Sequence, residues 1–279
     1  MNIIDVSNWI ESAINPTGNR EKIWLRNPNS EEYLFKKPKI DGEIIGEVAS
    51  FHIGTAIFGL SIPETYFAKK NAELGTISKS FISNEEKKYL EFQEIVDYYG
   101  ENFDAYDLNQ YSLHKALSIV TKLNLKLDFY KMCIFDYVIA NQDRHVQNWG
   151  IIMNRENQQK KFSPLYDNGS SLFSGYTDEQ LEGLSTDRKR FEAFTNRAKS
   201  LFFYEKKKPK FINILQFLYK EDNLNFNTAF SNFKAVNEDE VYDILIKLGV
   251  SELRSCLISD LIVYRVSIIK KMIQGLEVE

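Results

Sequence analysis

Cysteine is nearly absent from this 279-residue chain, which contains only Cys133 and Cys256. Two thiols in apolar-patterned stretches exclude a disulfide framework and indicate reduced, buried side chains. Histidine is also scarce, and His52, His114 and His145 lack the spacing of a zinc site. The sequence therefore predicts neither a small disulfide-stabilised protein nor a zinc protein.

A strong charge of one sign is missing as well, because 35 Lys and Arg residues face 39 Asp and Glu residues, for a net charge of −4. This balance argues against direct binding of nucleic acid or of a membrane by bulk charge. No apolar run approaches the roughly 18 residues of a spanning helix, and the N-terminus lacks the pattern of a signal peptide. We expect a cytoplasmic location, with secretion as an effector as the alternative.

The first 84 residues have the pattern of a small β-sheet with one helix. Runs at 22–26 and 32–36 are β-prone and flank a strong turn signal, Asn27-Pro28-Asn29-Ser30, which predicts a hairpin. Helical spacing follows over 43–58, and two further strands are predicted at 62–67 and 76–82. Near the N-terminus, Asp5 is placed to cap a short helix that carries Trp9 and Ile10.

The remainder of the chain is predominantly helical in pattern. Helices are predicted at 90–99, 112–123, 127–140, 187–202, 211–219 and 238–248, followed by one long final helix. Residues 140–173 interrupt this rhythm with Asn, Asp, Gly and Pro and contain a hairpin-like stretch. The sequence thus predicts an α+β, two-lobed fold with a β-rich N-terminal lobe at 1–84 and a helical C-terminal lobe at 85–279.

Chemistry-bearing residues concentrate in the polar interruption. Asp143 is followed five residues later by Asn148, and Asp167-Asn168-Gly169 comes after the hairpin-like stretch. Phosphoryl transfer requires such a set, with one carboxylate for the attacking hydroxyl and an amide oxygen plus a second carboxylate for Mg²⁺. Protein kinases use the same spacing. Asp and Asn also occur in ordinary turns, so the interpretation depends on the combination and not on any one residue.

A kinase also needs a cation for the α- and β-phosphates of ATP, and Lys36 on a predicted strand is the candidate, with Lys37 as its competitor. Glu47 is preferred over Glu43 as the partner of this lysine because Glu47 shares a helix face with apolar residues. Residues 16–22 are expected to cover the phosphates through backbone N–H groups, with the charge of Arg20 or Lys22 nearby.

In combination these residues resemble the HipA-type serine/threonine kinases of bacterial toxin–antitoxin systems. The resemblance spans roughly residues 16–175, and its most specific part is N-x-D-R-H-x-x-N at 141–148 together with Y-D-N-G at 166–169. The remaining motifs are T-G-N-R-E-K at 17–22, F-K-K-P at 35–38 and G-L-S-I-P-E at 59–64.

The resemblance implies a kinase that transfers phosphate from ATP with Mg²⁺, with adenine near Phe81 and Ile82. The roles that it implies are Asp143 as catalytic base, Asn148 and Asp167 as Mg²⁺ ligands, Lys36 as the ATP lysine, and Thr17 and Gly18 in the phosphate-covering loop. It further implies a short form without the additional N-terminal subdomain, a protein substrate with a Ser or Thr acceptor, and a DNA-binding antitoxin as a partner. Autophosphorylation would use Thr17 or another site.

Two alternatives stay open at this point. A lipid or small-molecule kinase of the phosphoinositide-kinase type has a similar order of Asp, Arg and His before Asn. A nucleotide-binding pseudokinase regulator that acts by complex formation is the other, although the intact polar set argues against it.

Overall fold

The computed structural model describes residues 2–12, 21–100, 102–105, 107, 109–205 and 208–277. In this part of the chain, six strands form one sheet towards the N-terminus, and three strands form a second sheet within a helical region. The predicted α+β class, with a β-rich N-terminal lobe and a helical C-terminal lobe, is confirmed. The lobe boundary after residue 84 stays a prediction.

The N-terminal sheet has the spatial order β1-β5-β6-β4-β3-β2, with β1 parallel to β5 and the other neighbours antiparallel. Its strands are β1 (Ile4–Asp5), β2 (Ile10–Glu11), β3 (Lys22–Arg26), β4 (Glu32–Lys36), β5 (Thr65–Lys70) and β6 (Glu73–Lys79). Helix α1 (Gly42–Ala56) packs against β5 and β6. The chain therefore leads directly from the end of β4 into the helix that covers the sheet.

The β3–β4 hairpin forms where the sequence predicts it. The side-chain oxygen of Asn27 accepts hydrogen bonds from the backbone nitrogens of Asn29 (3.0 Å) and Glu31 (2.9 Å), and Ser30 takes a positive φ of 65°. These contacts satisfy the turn backbone and set the strand register. Lys22 is paired with Lys36, so both side chains lie on the same face of the sheet.

The prediction of a short helix after Asp5 is wrong. Asp5 instead accepts hydrogen bonds from the backbone nitrogen (3.0 Å) and the hydroxyl (2.6 Å) of Ser7. This local turn competes with helix capping. Ile4 pairs with Ala68, and Ile10 with Arg26, so the segment contributes two short edge strands to the sheet.

The C-terminal lobe is built mainly from helices. In the described residues these are α2 (Leu113–Lys122), α3 (Lys126–Val138), α4 (Asp178–Ser185), α5 (Arg188–Asn196), α6 (Phe211–Glu221), α7 (Asn223–Phe230), α8 (Glu238–Lys247) and α9 (Glu252–Glu277). The smaller sheet has the order β7 (Leu90–Glu94), β8 (Gly150–Asn154) and β9 (Lys160–Phe162). None of the helices, across the described residues, has the length and apolarity that a bilayer crossing requires.

The prediction of a helix at 90–99 is also wrong. Leu90–Glu94 pairs antiparallel with Gly150–Asn154, and only Ile95–Tyr98 turns, as a short 3₁₀ helix. Helical spacing over ten residues is thus overridden by pairing with a strand that lies far along the chain. The helix predicted at 187–202 ends early, at Asn196, and α4 and α7 were not predicted.

Helix α3 is central to the lobe and delivers the polar loop that follows it. Phe129, Tyr130 and Phe135 are fully buried on this helix, within the large hydrophobic core of the lobe. The helix ends at Val138, and Ala140 takes a positive φ of 61° that turns the chain out of the helix. The loop beginning at Asn141 therefore starts from a rigid support.

Candidate active site

Lys36 lies between two carboxylates that come from different parts of the fold. Its Nζ donates to Oε1 of Glu47 on α1 at 2.8 Å and to Oδ1 of Asp167 in the loop after β9 at 2.9 Å. The Lys36 and Glu47 side chains are only 11% and 8% exposed. The structure therefore brings together three residues that the sequence suggested, from positions up to 131 residues apart.

The neighbouring residues that competed for these positions point elsewhere. Glu43 accepts a hydrogen bond from the backbone nitrogen of Lys39 at 2.9 Å, and Lys37 donates to Glu73 at 2.5 Å on the exposed surface. Lys36 thus contacts Glu47, the residue that its helix face favoured.

The charge of Lys36 is secured by its partners. Burial by itself would lower the pKa of this lysine, but Asp167 and Glu47 act against burial and together raise the pKa above its ordinary value. Lys36 therefore carries a positive charge throughout the physiological pH range.

Asp167 has a backbone conformation that residues other than glycine seldom adopt. Its φ is +59°, in the left-handed region, where most residues other than glycine are strained. The next residue holds this shape, because Oε2 of Glu47 accepts a hydrogen bond from the Asn168 backbone nitrogen at 3.0 Å. Glu47 thus fixes both the lysine and the Asp167 loop with its two oxygens.

The polar loop after α3 is shaped by its own asparagines. The side-chain oxygen of Asn141 accepts from the backbone nitrogen of Asp143 at 3.1 Å, and Nδ2 of Asn148 donates to the Asp143 carbonyl at 2.8 Å. With that donor engaged, the amide of Asn148 is oriented, and its Oδ1 is the atom that a cation would use. The Asp143 side chain is 41% exposed, so solvent reaches part of it.

His145 packs against the Asp143 carboxylate, with 3.5 Å between Nε2 and Oδ1. Burial lowers the pKa of His145, although Asp143 and Asp167 act in the opposite direction. Its backbone closes the loop, since its nitrogen donates to the Asp143 carbonyl and its carbonyl accepts from Asn148. These contacts show that His145 braces the loop.

Arg144 was not singled out from the sequence, yet it joins the two loops. Its guanidinium is 96% buried and donates through Nε and Nη2 to the Asp136 carboxylate on α3. Nη1 donates to the carbonyls of Asn148 and Tyr166, and Nη2 donates to Oδ1 of Asn168. One side chain therefore holds the segments of Asn148 and Asp167 against each other and against α3.

The sequence contained a signal for the ion pair between Asp136 and Arg144. Asp136 is the one charged residue in the otherwise apolar or aromatic run at 133–140. A charge in such a run is buried only when it has a partner. The sequence does not specify which arginine supplies it, because Arg144 lies eight residues further on in a loop without regular structure.

The predicted adenine residues lie in the connection between β6 and β7. Phe81 stacks on Tyr166, with ring centroids 6.0 Å apart, and contacts Phe92 of β7 edge-on at 5.3 Å. Ile82 is buried beside it. Their role towards adenine stays a prediction, as does that of Lys22, while Thr17 and Gly18 lie outside the described residues.

The donor set of this site fits a hard divalent cation. No group of three His, Cys, Asp or Glu side chains that could hold a metal occurs in the portion of the chain that the structure describes. Mg²⁺ in nucleotide-dependent enzymes is usually held by one or two side chains together with the phosphates. An amide oxygen from Asn148 and a carboxylate from Asp167 match that requirement.

Close packing of α1 on the Asp167 loop yields a stability prediction. A Cβ added to Gly46 would lie 2.6 Å from the carbonyl oxygen of Gly169. Gly46→Ala is therefore expected to lower the free energy of unfolding by about 1–3 kcal/mol, as overpacking does. Gly275→Ala on α9, where added atoms meet nothing within 4 Å, should instead stabilise slightly. Urea unfolding of both variants measures this, and equal effects would contradict the packing argument.

Comparisons with known proteins identify the sequence family of this chain. The sequence profile of the HipA-like C-terminal domain matches residues 14–221. The serine/threonine-protein kinase CtkA of Helicobacter pylori is 25% identical over 158 residues, which are 52% of this chain and 48% of that kinase. The sequence match thus spans about half the length of this curated relative.

Solved structures show the same fold. The proinflammatory kinase CtkA of Helicobacter pylori superposes with a TM-score of 0.80 at 19% identity, covering 98% of this chain and 99% of that one. The HipA of Shewanella oneidensis, solved with HipB and operator DNA, has a TM-score of 0.55 at 10% identity, covering 92% of this chain and 65% of that one. Because the profile match extends over more than half of the sequence, the chain belongs to the HipA-like C-terminal domain family.

Proposed function

We propose that this protein is an ATP- and Mg²⁺-dependent serine/threonine protein kinase of the HipA type. The observation that carries the proposal is the double contact of Lys36 with Glu47 and Asp167. A buried lysine paired with a helix carboxylate, beside a loop carboxylate that can hold Mg²⁺, is the arrangement that protein kinases use to bind nucleotide phosphates. Membership in the family of HipA-like domains supports the same assignment.

Lys36 is assigned to the α- and β-phosphates of ATP. Its ammonium group has three donors, and the contacts with Glu47 and Asp167 use two of them. The third donor is the one that we assign to a phosphate oxygen. Lys22, on the same sheet face, adds positive charge next to it.

Asn148 and Asp167 are assigned to Mg²⁺, which would neutralise the phosphate charge that develops during transfer. Arg144 keeps these two residues in one site by bonding to the Asn148 carbonyl and to residues on both sides of Asp167. The two ligands therefore do not have to be gathered from separate flexible loops, so less ordering entropy is lost when the ion binds.

Asp143 is assigned to the acceptor. In this role its partly exposed carboxylate accepts the proton of a Ser or Thr hydroxyl and aims that oxygen at the terminal phosphate. No covalent intermediate with the protein is needed, since positioning and charge neutralisation supply the catalysis.

The first test is the transfer of radiolabel from γ-labelled ATP, with Lys36→Met as the variant and Lys37→Met as its matched control. Loss of a charged hydrogen-bond donor to the phosphates is expected to lower kcat/KM for ATP by about 10- to 100-fold. Lys37→Met should stay near the wild-type value, because Lys37 contacts Glu73 on the surface. Equal losses of kcat/KM in both variants would contradict the assignment of Lys36 to the ATP phosphates.

The acceptor class is tested in the same assay. Phosphoamino acid analysis of labelled protein from a cell extract is expected to give phosphoserine or phosphothreonine. A parallel reaction with phosphoinositide vesicles tests lipid kinase activity. Label that appears only in lipid would contradict the protein-kinase proposal and favour a lipid kinase.

For a role as a toxin, we propose a DNA-binding antitoxin as the partner. HipA of Shewanella oneidensis was solved with HipB and operator DNA. Expression of this chain in bacteria is then expected to slow growth, and co-expression of its antitoxin should restore it. Equally slow growth of cells that express wild type and of cells that express Asp143→Asn would show that the toxic effect does not depend on kinase activity.

A further inference from the structure

The segment after Asp167 is fixed from two sides. Asn168 is held by Glu47 through its backbone nitrogen and by Arg144 through its side-chain oxygen, at 3.0 and 2.6 Å. The Ser171 hydroxyl donates to the Asn168 carbonyl at 2.6 Å and lies 3.1 Å from the Ser50 hydroxyl on α1. The two residues between these anchors, Gly169 and Ser170, have little freedom to change their backbone.

That segment carries Ser170, whose side chain faces the loop that contains Asp143. The Ser170 hydroxyl donates to Oδ2 of Asp143 at 3.4 Å, while the other carboxylate oxygen lies 3.5 Å from Nε2 of His145. Catalytic hydrogen bonds are often long before substrate binds and tighten in the reacting complex. Groups from two loops thus contact the two oxygens of the carboxylate to which we assign proton acceptance.

We propose that Ser170 is a positioning residue that sets the orientation of the Asp143 carboxylate for the acceptor hydroxyl. This inference depends on the proposed kinase function. The terminal torsion of an aspartate is soft, so an exposed carboxylate turns readily unless a partner holds it. An oxygen that accepts from Ser170 keeps a second lone pair, so the contact does not block the substrate hydroxyl.

The proposed role predicts a loss in the transfer step and not in nucleotide binding. Ser170 contacts Asp143, whereas the residues assigned to ATP phosphates and metal are Lys36, Asn148 and Asp167. Misorientation of a reacting group by a fraction of an ångström costs rate without changing ground-state affinity. We therefore expect kcat to fall while KM for ATP stays constant.

Steady-state kinetics of Ser170→Ala, Ser170→Thr and Ser174→Ala test the proposal. Ser170→Ala is expected to lower kcat by about tenfold, with KM for ATP within about twofold of wild type. Ser170→Thr keeps the hydroxyl and should recover kcat to within about threefold of wild type. Ser174→Ala, in the same segment, is the matched control and should behave as wild type.

Wild-type kcat in Ser170→Ala would overturn the proposal, and so would equal losses in the Ala and Thr variants. Phosphate on Ser170 after turnover, found by mass spectrometry, would also overturn it, because Ser170 would then be an acceptor. Absence of transfer by the wild-type protein to any acceptor would be different, since it would remove the kinase proposal itself and this inference with it.

Discussion

Asp143→Asn is expected to reduce phosphoryl transfer by about 10²- to 10⁴-fold, the usual range for loss of a positioned acid or base. The asparagine side chain has nearly the same shape, but it cannot take the proton of the acceptor hydroxyl. ATP affinity should change little, because Lys36, Asn148 and Asp167 are the groups that we assign to nucleotide and metal. Label transfer under single-turnover conditions, alongside nucleotide titration, measures both quantities.

Folding is the control for this variant. The Asp143 side chain is 41% exposed, so the substitution should leave the melting temperature close to that of wild type. Asp178→Asn, at the exposed start of α4, is a matched carboxylate-to-amide change away from the site. A rate within a factor of three of wild type in Asp143→Asn would exclude this residue as the base.

Asp167→Asn is expected to lower kcat/KM by about 10²- to 10³-fold, comparable to the loss of one preorganised electrostatic group. The substitution removes a carboxylate that we assign to Mg²⁺ and that also contacts Lys36 at 2.9 Å. The Mg²⁺ concentration for half-maximal rate should rise, because a neutral amide binds a hard cation more weakly than a carboxylate does. Rate measurements over a Mg²⁺ series provide the test.

Asp167→Asn should also change the pKa of Lys36, an effect that is not expected of Asp143→Asn. The pKa of Lys36 is raised by Asp167 and Glu47 against the effect of burial, and Glu47 alone remains in the variant. The pKa of the lysine should therefore fall towards its ordinary value, and the activity that persists should decline at lower alkaline pH than in wild type. An unchanged Mg²⁺ requirement in Asp167→Asn would contradict the metal assignment.

Local chemistry made part of the fold predictable from sequence. The turn at 27–30 has a side chain that bonds its own backbone, and the strands beside it lie where the sequence placed them. Prediction failed at 90–99, where apolar spacing suits a helix but the segment pairs with Gly150–Asn154. Such pairing depends on residues about 60 positions away, which local periodicity does not report.

The site shows the same division. Lys36, Glu47 and Asp167 were suggested because the chemistry requires a lysine, a helix carboxylate and a loop carboxylate, and the structure places them in contact. Arg144 and Ser170 were not suggested, because their importance lies in contacts between segments. Ser170 follows an ordinary turn sequence, and only the packing of α1 against residues 168–171 directs it to Asp143.

The network that results is continuous from the core of the helical lobe to the sheet. Asp136 on α3 binds Arg144, Arg144 binds Asn168, Asn168 binds Glu47, and Glu47 binds Lys36 on β4. Each member is mostly buried, so each contact is little screened by solvent. The two lobes are therefore joined at the proposed site by charged hydrogen bonds as well as by apolar packing.

A crystal structure of the protein with a non-hydrolysable ATP analogue and Mg²⁺ tests the central claim most directly. We expect the nucleotide between the lobes, with Lys36 on its phosphates, Mg²⁺ on Asn148 and Asp167, and Asp143 facing the terminal phosphate. A nucleotide bound elsewhere, or a metal ion that contacts neither Asn148 nor Asp167, would contradict it.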